Sequence, residues 1–221
     1  SQEKNLCYRA ARLLSDKFAI SNGAKIQLRK NIPTGAGLGG GSSDAAFTLL
    51  ALNSFWNIHA SNLELMQLAA ELGSDIPFFL MKSAAIGTGR GELLTAIPFV
   101  LPYWIVVVYP KIHVSTAYAY SQIEPNDNLT DYLSILSGNN VLSSEIMNTT
   151  FRNDFETSVF AQFPLLASIK LSLQEFGAIF SSMSGSGSSI FGLFTEEEDA
   201  FSAAKNLSRY QAFVCRQHTF K

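Results

Sequence analysis

Pro33-Thr34-Gly35-Ala36-Gly37-Leu38-Gly39-Gly40-Gly41-Ser42-Ser43-Asp44 places five glycines in seven positions and then runs into the apolar stretch Ala45-Ala46-Phe47-Thr48-Leu49-Leu50-Ala51-Leu52. The pattern reads as a loop feeding the N-terminus of a helix. Glycine reaches positive φ and lets a ligand approach without meeting a Cβ. A helix start adds N–H donors that lack intrahelical partners, together with the positive end of the helix dipole. The segment therefore suits an anion, a phosphate chain above all.

Two familiar glycine loops are weighed against this stretch. Gly35, Gly37 and Gly40 match G-x-G-x-x-G, the dinucleotide fingerprint. That fingerprint follows a buried parallel strand, which reads as a near-continuous apolar run. Here Ala24-Lys25-Ile26-Gln27-Leu28-Arg29-Lys30 alternates apolar and polar residues, predicting a strand with one wet face. The P-loop form needs Lys and then Ser or Thr after its last glycine, and Gly41 stands in the way. A flexible Gly/Ser linker also fits poorly, because strand and helix signals press against both ends.

The rest of the composition narrows the field. With 221 residues, 47% of them hydrophobic and 15% charged, the chain has material for one large domain or two small ones. A net charge of −2 gives no reason to expect a nucleic-acid or anionic-membrane partner. Cys7 and Cys215 share no paired spacing, which points to free thiols in a reducing compartment. His59, His113 and His218 share no ligand spacing, so a metal cluster is not expected. The greasiest stretch, Ile97 to Tyr109, is broken by Pro98 and Pro102 and is too short to span a bilayer. The polar opening Ser1-Gln2-Glu3-Lys4 carries no signal-peptide pattern, so a soluble cytoplasmic protein is the expectation.

Along the chain, helical spacing of Leu6, Ala10, Leu13 and Leu14 predicts an amphipathic helix over 5–18. The loop helix should end near Asn53 to Trp56. Ser61-Asn62-Leu63-Glu64 is a capping box for the next helix, and Gly73 is its stop. Ile76-Pro77-Phe78-Phe79-Leu80 is expected to leave as an extended segment, because a residue before proline avoids the helical region. A glycine-rich ribbon follows over 84–94, and Trp104 to Val108 reads as a buried strand. Residues 115–137 look helical, with breaks at Pro125 and Gly138, and Asn139 to Asn148 reads as a surface connection. The remainder alternates: helix 159–176, strand 177–182, a Gly/Ser loop, strand 190–194, helix 196–208 and strand 211–215. This predicts an α+β chain with domains over 1–114 and 115–221.

Asp75 is the candidate for chemistry. It follows a helix stop and is flanked by Ile76, Phe78 and Phe79, which are expected to desolvate it and raise its basicity. A simple Asx-turn easing the chain onward is the alternative. Ser184 to Ser189 is either a generous hairpin turn or a loop of small residues that permits close approach of substrate or of the first glycine loop. Asn153-Asp154-Phe155-Glu156 is explained by a solvated helix N-terminus. Lys30 and Arg29 flank the glycine loop, either to help hold a nucleotide or as the wet face of a strand.

Taken together these residues resemble the GHMP small-molecule kinases, the superfamily of galactokinase, homoserine kinase and mevalonate kinase. The matching segments are P-x-G-x-G-L-G-G-G-S-S-x-A-A at Pro33 to Ala46, L-G-x-D-[IV]-P at Leu72 to Pro77, and G-x-G-E at Gly89 to Glu92. N-D-[FL]-E at Asn153 to Glu156 and M-S-G-[ST]-G at Met183 to Gly187 complete the set. The triple glycine before Ser42-Ser43 is closest to the branch acting on 4-diphosphocytidyl-2-C-methyl-D-erythritol. The resemblance covers essentially the whole chain. It implies a two-domain α+β fold, with a ribosomal protein S5-like N-terminal domain and a ferredoxin-like C-terminal domain.

The resemblance also implies ATP with Mg²⁺, transfer of the γ-phosphoryl group to the substrate's 2-hydroxyl, and a monomer or homodimer. Pro33 through Ser43 would wrap the ATP phosphates, with Ser43 near the metal. Asp75 would act on the hydroxyl proton, the 184–189 loop would close against the phosphates, and Thr116 would lie near the active site. The family's opening strand, with its lysine in an A-K-[IV]-N-L motif, and its Gly-Tyr-His segment have no counterpart here. Two alternatives therefore stand beside this expectation: another GHMP alcohol kinase, or a nucleotide-binding module without catalysis.

Overall fold

The computed structural model describes residues 2–89, 91–123, 130–138 and 142–218. Its contacts divide the chain into two units: Ser1–Ile32 with Gly39–Pro98, and Pro33–Leu38 with Phe99–Thr219. The division falls at Pro98, so the strand that follows it belongs with the second unit. The six residues Pro33–Leu38 also belong there, although the helix they introduce belongs to the first.

The first unit is built from helices α1 (Leu6–Lys17), α2 (Gly40–Phe55), α3 (Asn62–Leu72) and α4 (Phe78–Met81), with a hairpin of β1 (Ala84–Thr88) and β2 (Leu93–Ile97). Leu14, Leu49, Leu65 and Ile76 are each 2% exposed or less and meet in one apolar cluster. Each such side chain contributes about 1.5–3 kcal/mol by leaving water. The capping box at α3 forms as its sequence predicts, with Ser61 and Glu64 bonding each other's backbone N–H.

Two expectations for this unit are corrected. Residues 24–30 form no strand: no strand among the described residues pairs with them, and Ile26 and Leu28 remain 43% and 38% exposed. Alternation marks a possible half-buried face, but a strand exists only through its ladder. Residues 78–81 are helical rather than extended. The conformational restriction falls on Ile76, whereas Pro77 itself sits at φ −56°, ψ −34° and suits a helix start.

The second unit is an antiparallel sheet in the order β4-β5-β3-β6, formed by β3 (Trp104–Tyr109), β4 (Phe180–Met183), β5 (Ile190–Phe194) and β6 (Gln211–Cys215). Helices α5 (Thr116–Ser121), α6 (Tyr132–Gly138), α7 (Ser144–Thr150), α8 (Glu156–Gln162), α9 (Pro164–Glu175) and α10 (Glu197–Asn206) accompany it. Leu166, Ile169 and Leu173 of α9 and Ala200 and Ala203 of α10 pack with Val106, Val108, Ile190 and Phe194 of the sheet. The single helix expected over 159–176 is two helices, because Pro164 supplies no N–H and opens a new helix at its first position. The strand expected at 177–182 is Phe180–Met183, after a turn at Gly177 with φ +95°. Pro125 and residues 139–141 lie outside the described residues. The α+β expectation holds in both units.

Candidate functional site

Within the glycine loop, Gly35, Gly37 and Gly39 adopt φ of 69°, 76° and 63°. Their backbone is left-handed, where a side chain is strained. Gly39 is the N-cap of α2 and makes no side-chain cap bond, and the helix's first turn carries no acidic residue. The first intrahelical bond runs from Ser43 N–H to the Gly39 carbonyl, at 2.9 Å. The N–H groups of Gly40, Gly41 and Ser42 therefore precede the helical ladder at the positive end of a 16-residue helix. Asp44, two residues past Ser42, pairs with Lys30 at 3.1 Å. Lys30 is thus tied to the head of the helix, and Arg29 is exposed.

The Asp75 turn packs against the same end of α2. A Cβ on Gly39 would lie 2.7 Å from the Phe79 ring, so only glycine lets that ring approach the loop. Ile76 anchors the turn in the core at 1% exposure, while Phe79 meets Phe78 edge-on at 5.2 Å. Asp75 itself is exposed, and Ser74 Oγ donates to its carboxylate at 3.2 Å. The desolvation expected around it is therefore absent. Ile76 turns into the core, and Phe78 is itself 38% exposed, so residues adjacent in sequence on a tight turn do not share a face. What remains is a water-accessible carboxylate on a turn whose Phe79 packs at the head of α2, able to accept a proton from a hydroxyl brought to it.

Pro33–Leu38 and the 184–189 loop meet inside the second unit. Ser184 Oγ donates to the Gly37 carbonyl at 2.8 Å, and Ser189 N–H donates to the Ala36 carbonyl at 3.1 Å. A Cβ on Gly37 would stand 2.1 Å from the Ser184 carbonyl oxygen, an impossible contact for any other residue without movement. The Ser184 N–H closes its own loop on the Ser189 carbonyl at 2.8 Å, and Ser188 Oγ donates to the Ile112 carbonyl. Thr116 and Ser186 hydroxyls lie 3.2 Å apart, and the exposed His113 ring is beside Gly35. The fold realises both readings of this loop: it is the hairpin connection between antiparallel β4 and β5, and it closely approaches the first glycine loop.

Glu156 is not the solvated helix residue that its sequence context suggests. Its side chain is 14% exposed and pairs with Lys170, while its other oxygen accepts from Met183 N–H at 2.8 Å and Ser182 Oγ at 2.9 Å. Asn153 Nδ2 donates to the carbonyls of Met183 and Gly185 at 2.8 and 2.7 Å. Local sequence carried no signal for these partners, which lie about thirty residues away in the chain.

Among the described residues no group of three His, Cys, Asp or Glu side chains forms a metal site, and no helix is long and apolar enough to cross a membrane. A cavity of about 320 Å³ in the first unit is lined by Tyr8, Arg12, Ile26, Leu28 and Trp56, and neither Asp75 nor the glycine run contributes to it.

Residues 5–83 match the family described as GHMP kinases N terminal domain, and residues 132–212 match GHMP kinases C terminal. A 4-diphosphocytidyl-2-C-methyl-D-erythritol kinase of Pelodictyon phaeoclathratiforme is 45% identical over 208 residues, covering 93% of this chain and 72% of that protein. The enzyme of the same name in Chlorobium limicola is 43% identical, covering 96% of this chain and 74% of its own length. A crystal structure of 4-(cytidine 5'-diphospho)-2C-methyl-D-erythritol kinase superposes with a TM-score of 0.81 at 36% identity, covering 96% of this chain and 77% of that one. A homoserine kinase from Cytophaga hutchinsonii shares the fold, with a TM-score of 0.79 at 19% identity over 99% of this chain and 77% of its own.

Proposed function

The chain belongs to the GHMP kinase family, and on that premise we propose that it uses ATP to phosphorylate the 2-hydroxyl of 4-diphosphocytidyl-2-C-methyl-D-erythritol, a step of non-mevalonate isoprenoid biosynthesis. The observation that carries the reading is the uncapped N-terminus of α2, headed by a glycine run in left-handed backbone, with the Asp75 turn packed against it through Phe79. Relatives more than 40% identical over nine-tenths of the chain, named for this substrate, support its identity.

In this mechanism the backbone of Pro33, Thr34, Gly35, Ala36, Gly37, Leu38, Gly39, Gly40, Gly41, Ser42 and Ser43 holds the ATP phosphates. The N–H groups at the head of α2 offset their charge. The left-handed glycines fit such a ligand, because a Cβ on any of them would strain the backbone that wraps it. Asp75 takes the proton from the substrate hydroxyl as its oxygen bonds to the γ-phosphorus and the bond to ADP breaks. Exposure suits Asp75 for this task, since substrate must reach the carboxylate from solvent. Ser43 would lie beside the Mg²⁺ that accompanies the nucleotide, and that ion would supply charge neutralisation on the transferring group. Phosphoryl transfer asks mainly for positioning and charge stabilisation, which loops and one carboxylate supply. We place the enzyme in the cytoplasm as a monomer or homodimer without nucleic-acid or membrane partners.

The test is phosphorus NMR of the full-length protein with ATP, MgCl₂ and a panel of alcohols. A new phosphomonoester on the diphosphocytidyl substrate, with homoserine and mevalonate left unmodified, is the expected result. Preference for either of the other alcohols overturns the substrate assignment, and no transfer to any alcohol overturns the kinase reading.

A further inference from the structure

Met183 is the last residue of β4, an edge strand, and the first point at which the Gly/Ser loop departs from the sheet. Both of its backbone groups turn to side chains from one short segment. The N–H donates to Glu156, and the carbonyl accepts from Asn153. Asn153 also bonds the Gly185 carbonyl inside the loop, and its own side-chain oxygen accepts from Phe155 N–H at 3.0 Å, which fixes the amide's orientation. Glu156 is held in turn by Lys170 of α9, and the two side chains are only 14% and 26% exposed.

From this arrangement we propose that Asn153, Glu156 and Lys170 are positioning residues that set the 184–189 loop and, through Ser184, hold the first glycine loop in its phosphate-wrapping shape. The inference rests on the proposed nucleotide site. The chain of contacts is continuous within the second unit: Lys170 to Glu156, Glu156 and Asn153 to Met183, Asn153 to Gly185, and Ser184 Oγ to the Gly37 carbonyl. The fit at its far end is tight: a Cβ on Gly37 would stand 2.1 Å from the Ser184 carbonyl oxygen, so a Ser184 that moves toward Gly37 must push it. A covered strand edge needs only one satisfying partner for each polar group. The additional bond from Asn153 into the loop at Gly185 is what a device for loop geometry requires and a strand cover does not.

The test is calorimetry of the full-length protein with a non-hydrolysable ATP analogue and Mg²⁺, alongside thermal melting. Asn153→Ala and Glu156→Ala are expected to weaken analogue binding about 10- to 100-fold, the scale of a loop misplaced by about an ångström. Glu156→Gln, whose amide oxygen still accepts from Met183 N–H, should recover most of that loss. Ser184→Ala removes only the last link and leaves β4 untouched, so it should weaken binding without lowering the melting temperature. This variant decides the matter if Glu156→Ala fails to fold. Wild-type affinity in Ser184→Ala and Asn153→Ala, with only melting changed in the latter, overturns the proposal while leaving the kinase reading in place. A wild-type protein that binds no analogue overturns both.

Discussion

The two Gly/Ser loops look alike in composition and behave in opposite ways. In Gly39 to Ser43 the side chains are absent or small, and the backbone N–H groups of Gly40, Gly41 and Ser42 precede any intrahelical bond. In Ser184 to Ser189 the hydroxyls and backbone groups engage the protein: Ser184 with Gly37, Ser186 with Thr116, Ser188 with Ile112 and Ser189 with Ala36. A loop that leaves donors open at a helix start is disposed to bind a ligand, whereas a loop whose residues bond neighbouring segments is disposed to shape its neighbour. The difference lies in what each loop's groups are bonded to, and composition alone does not reveal it.

The largest effect expected comes from neither loop but from Asp75, the proposed base. Asp75→Asn keeps size and hydrogen-bonding shape but removes the basicity, so turnover should fall about 10²- to 10⁴-fold. Because Asp75 is exposed, melting should not move, and nucleotide affinity should change little. Near-normal turnover would return Asp75 to the Asx-turn reading and leave the open loop without a chemical partner.

A smaller effect should follow from the place where the two loops touch. Gly37→Ala puts a methyl 2.1 Å from the Ser184 carbonyl at φ 76°, so both loops must shift. Nucleotide binding should weaken about 10- to 100-fold, with a melting loss of several degrees, since about 1 kcal/mol moves a domain of this size by a few degrees. Unchanged affinity in calorimetry would mean that the shaping loop does not shape.

Smaller still is Lys30→Met. The ion pair with Asp44 is partly solvated, with the two side chains 40% and 29% exposed, and such pairs contribute about 1 kcal/mol or less. Losing it leaves Asp44 unpaired near the helix start, so ATP affinity should fall no more than about threefold, and less at high salt. A large loss would place Lys30 on the phosphates instead.

The least effect concerns a helix with no part in either loop. Glu64 is held below its ordinary value of 4.5 by hydrogen bonds from the Ser61 backbone and then its hydroxyl. A depressed acid stabilises the fold above its unfolded value, and that contribution fades as pH falls through the folded one. Glu64→Gln should therefore narrow the melting difference between neutral and acid pH slightly, without changing nucleotide binding.

How much of this was legible in the sequence depends on how local the cause was. The glycine run, the capping box at Ser61 and the buried strand at Trp104 were readable because φ preference, capping and β-branching act within a few residues. The strand expected at 24–30 was not realised, because its alternation needed a partner that the described residues do not provide. The Asp75 environment was misjudged for a related reason. Ile76 and Phe78 are neighbours in sequence, yet the turn sends one into the core and leaves the other partly in solvent. Glu156 was hidden because its partners arrive from Met183 and Ser182, and only the tertiary fold brings them there.

The central claim is that the glycine run at the head of α2 holds the nucleotide's phosphates, and Gly40→Val tests it most directly. A Cβ at Gly40 meets only the Ile32 side chain, at 3.3 Å, and its φ is not left-handed, so the variant should fold and melt close to wild type. Calorimetry with a non-hydrolysable ATP analogue and Mg²⁺ should then show affinity weakened by about 100-fold or more, because the branched side chain crowds the space before the helix. A folded Gly40→Val protein that binds the analogue as tightly as wild type would contradict the account.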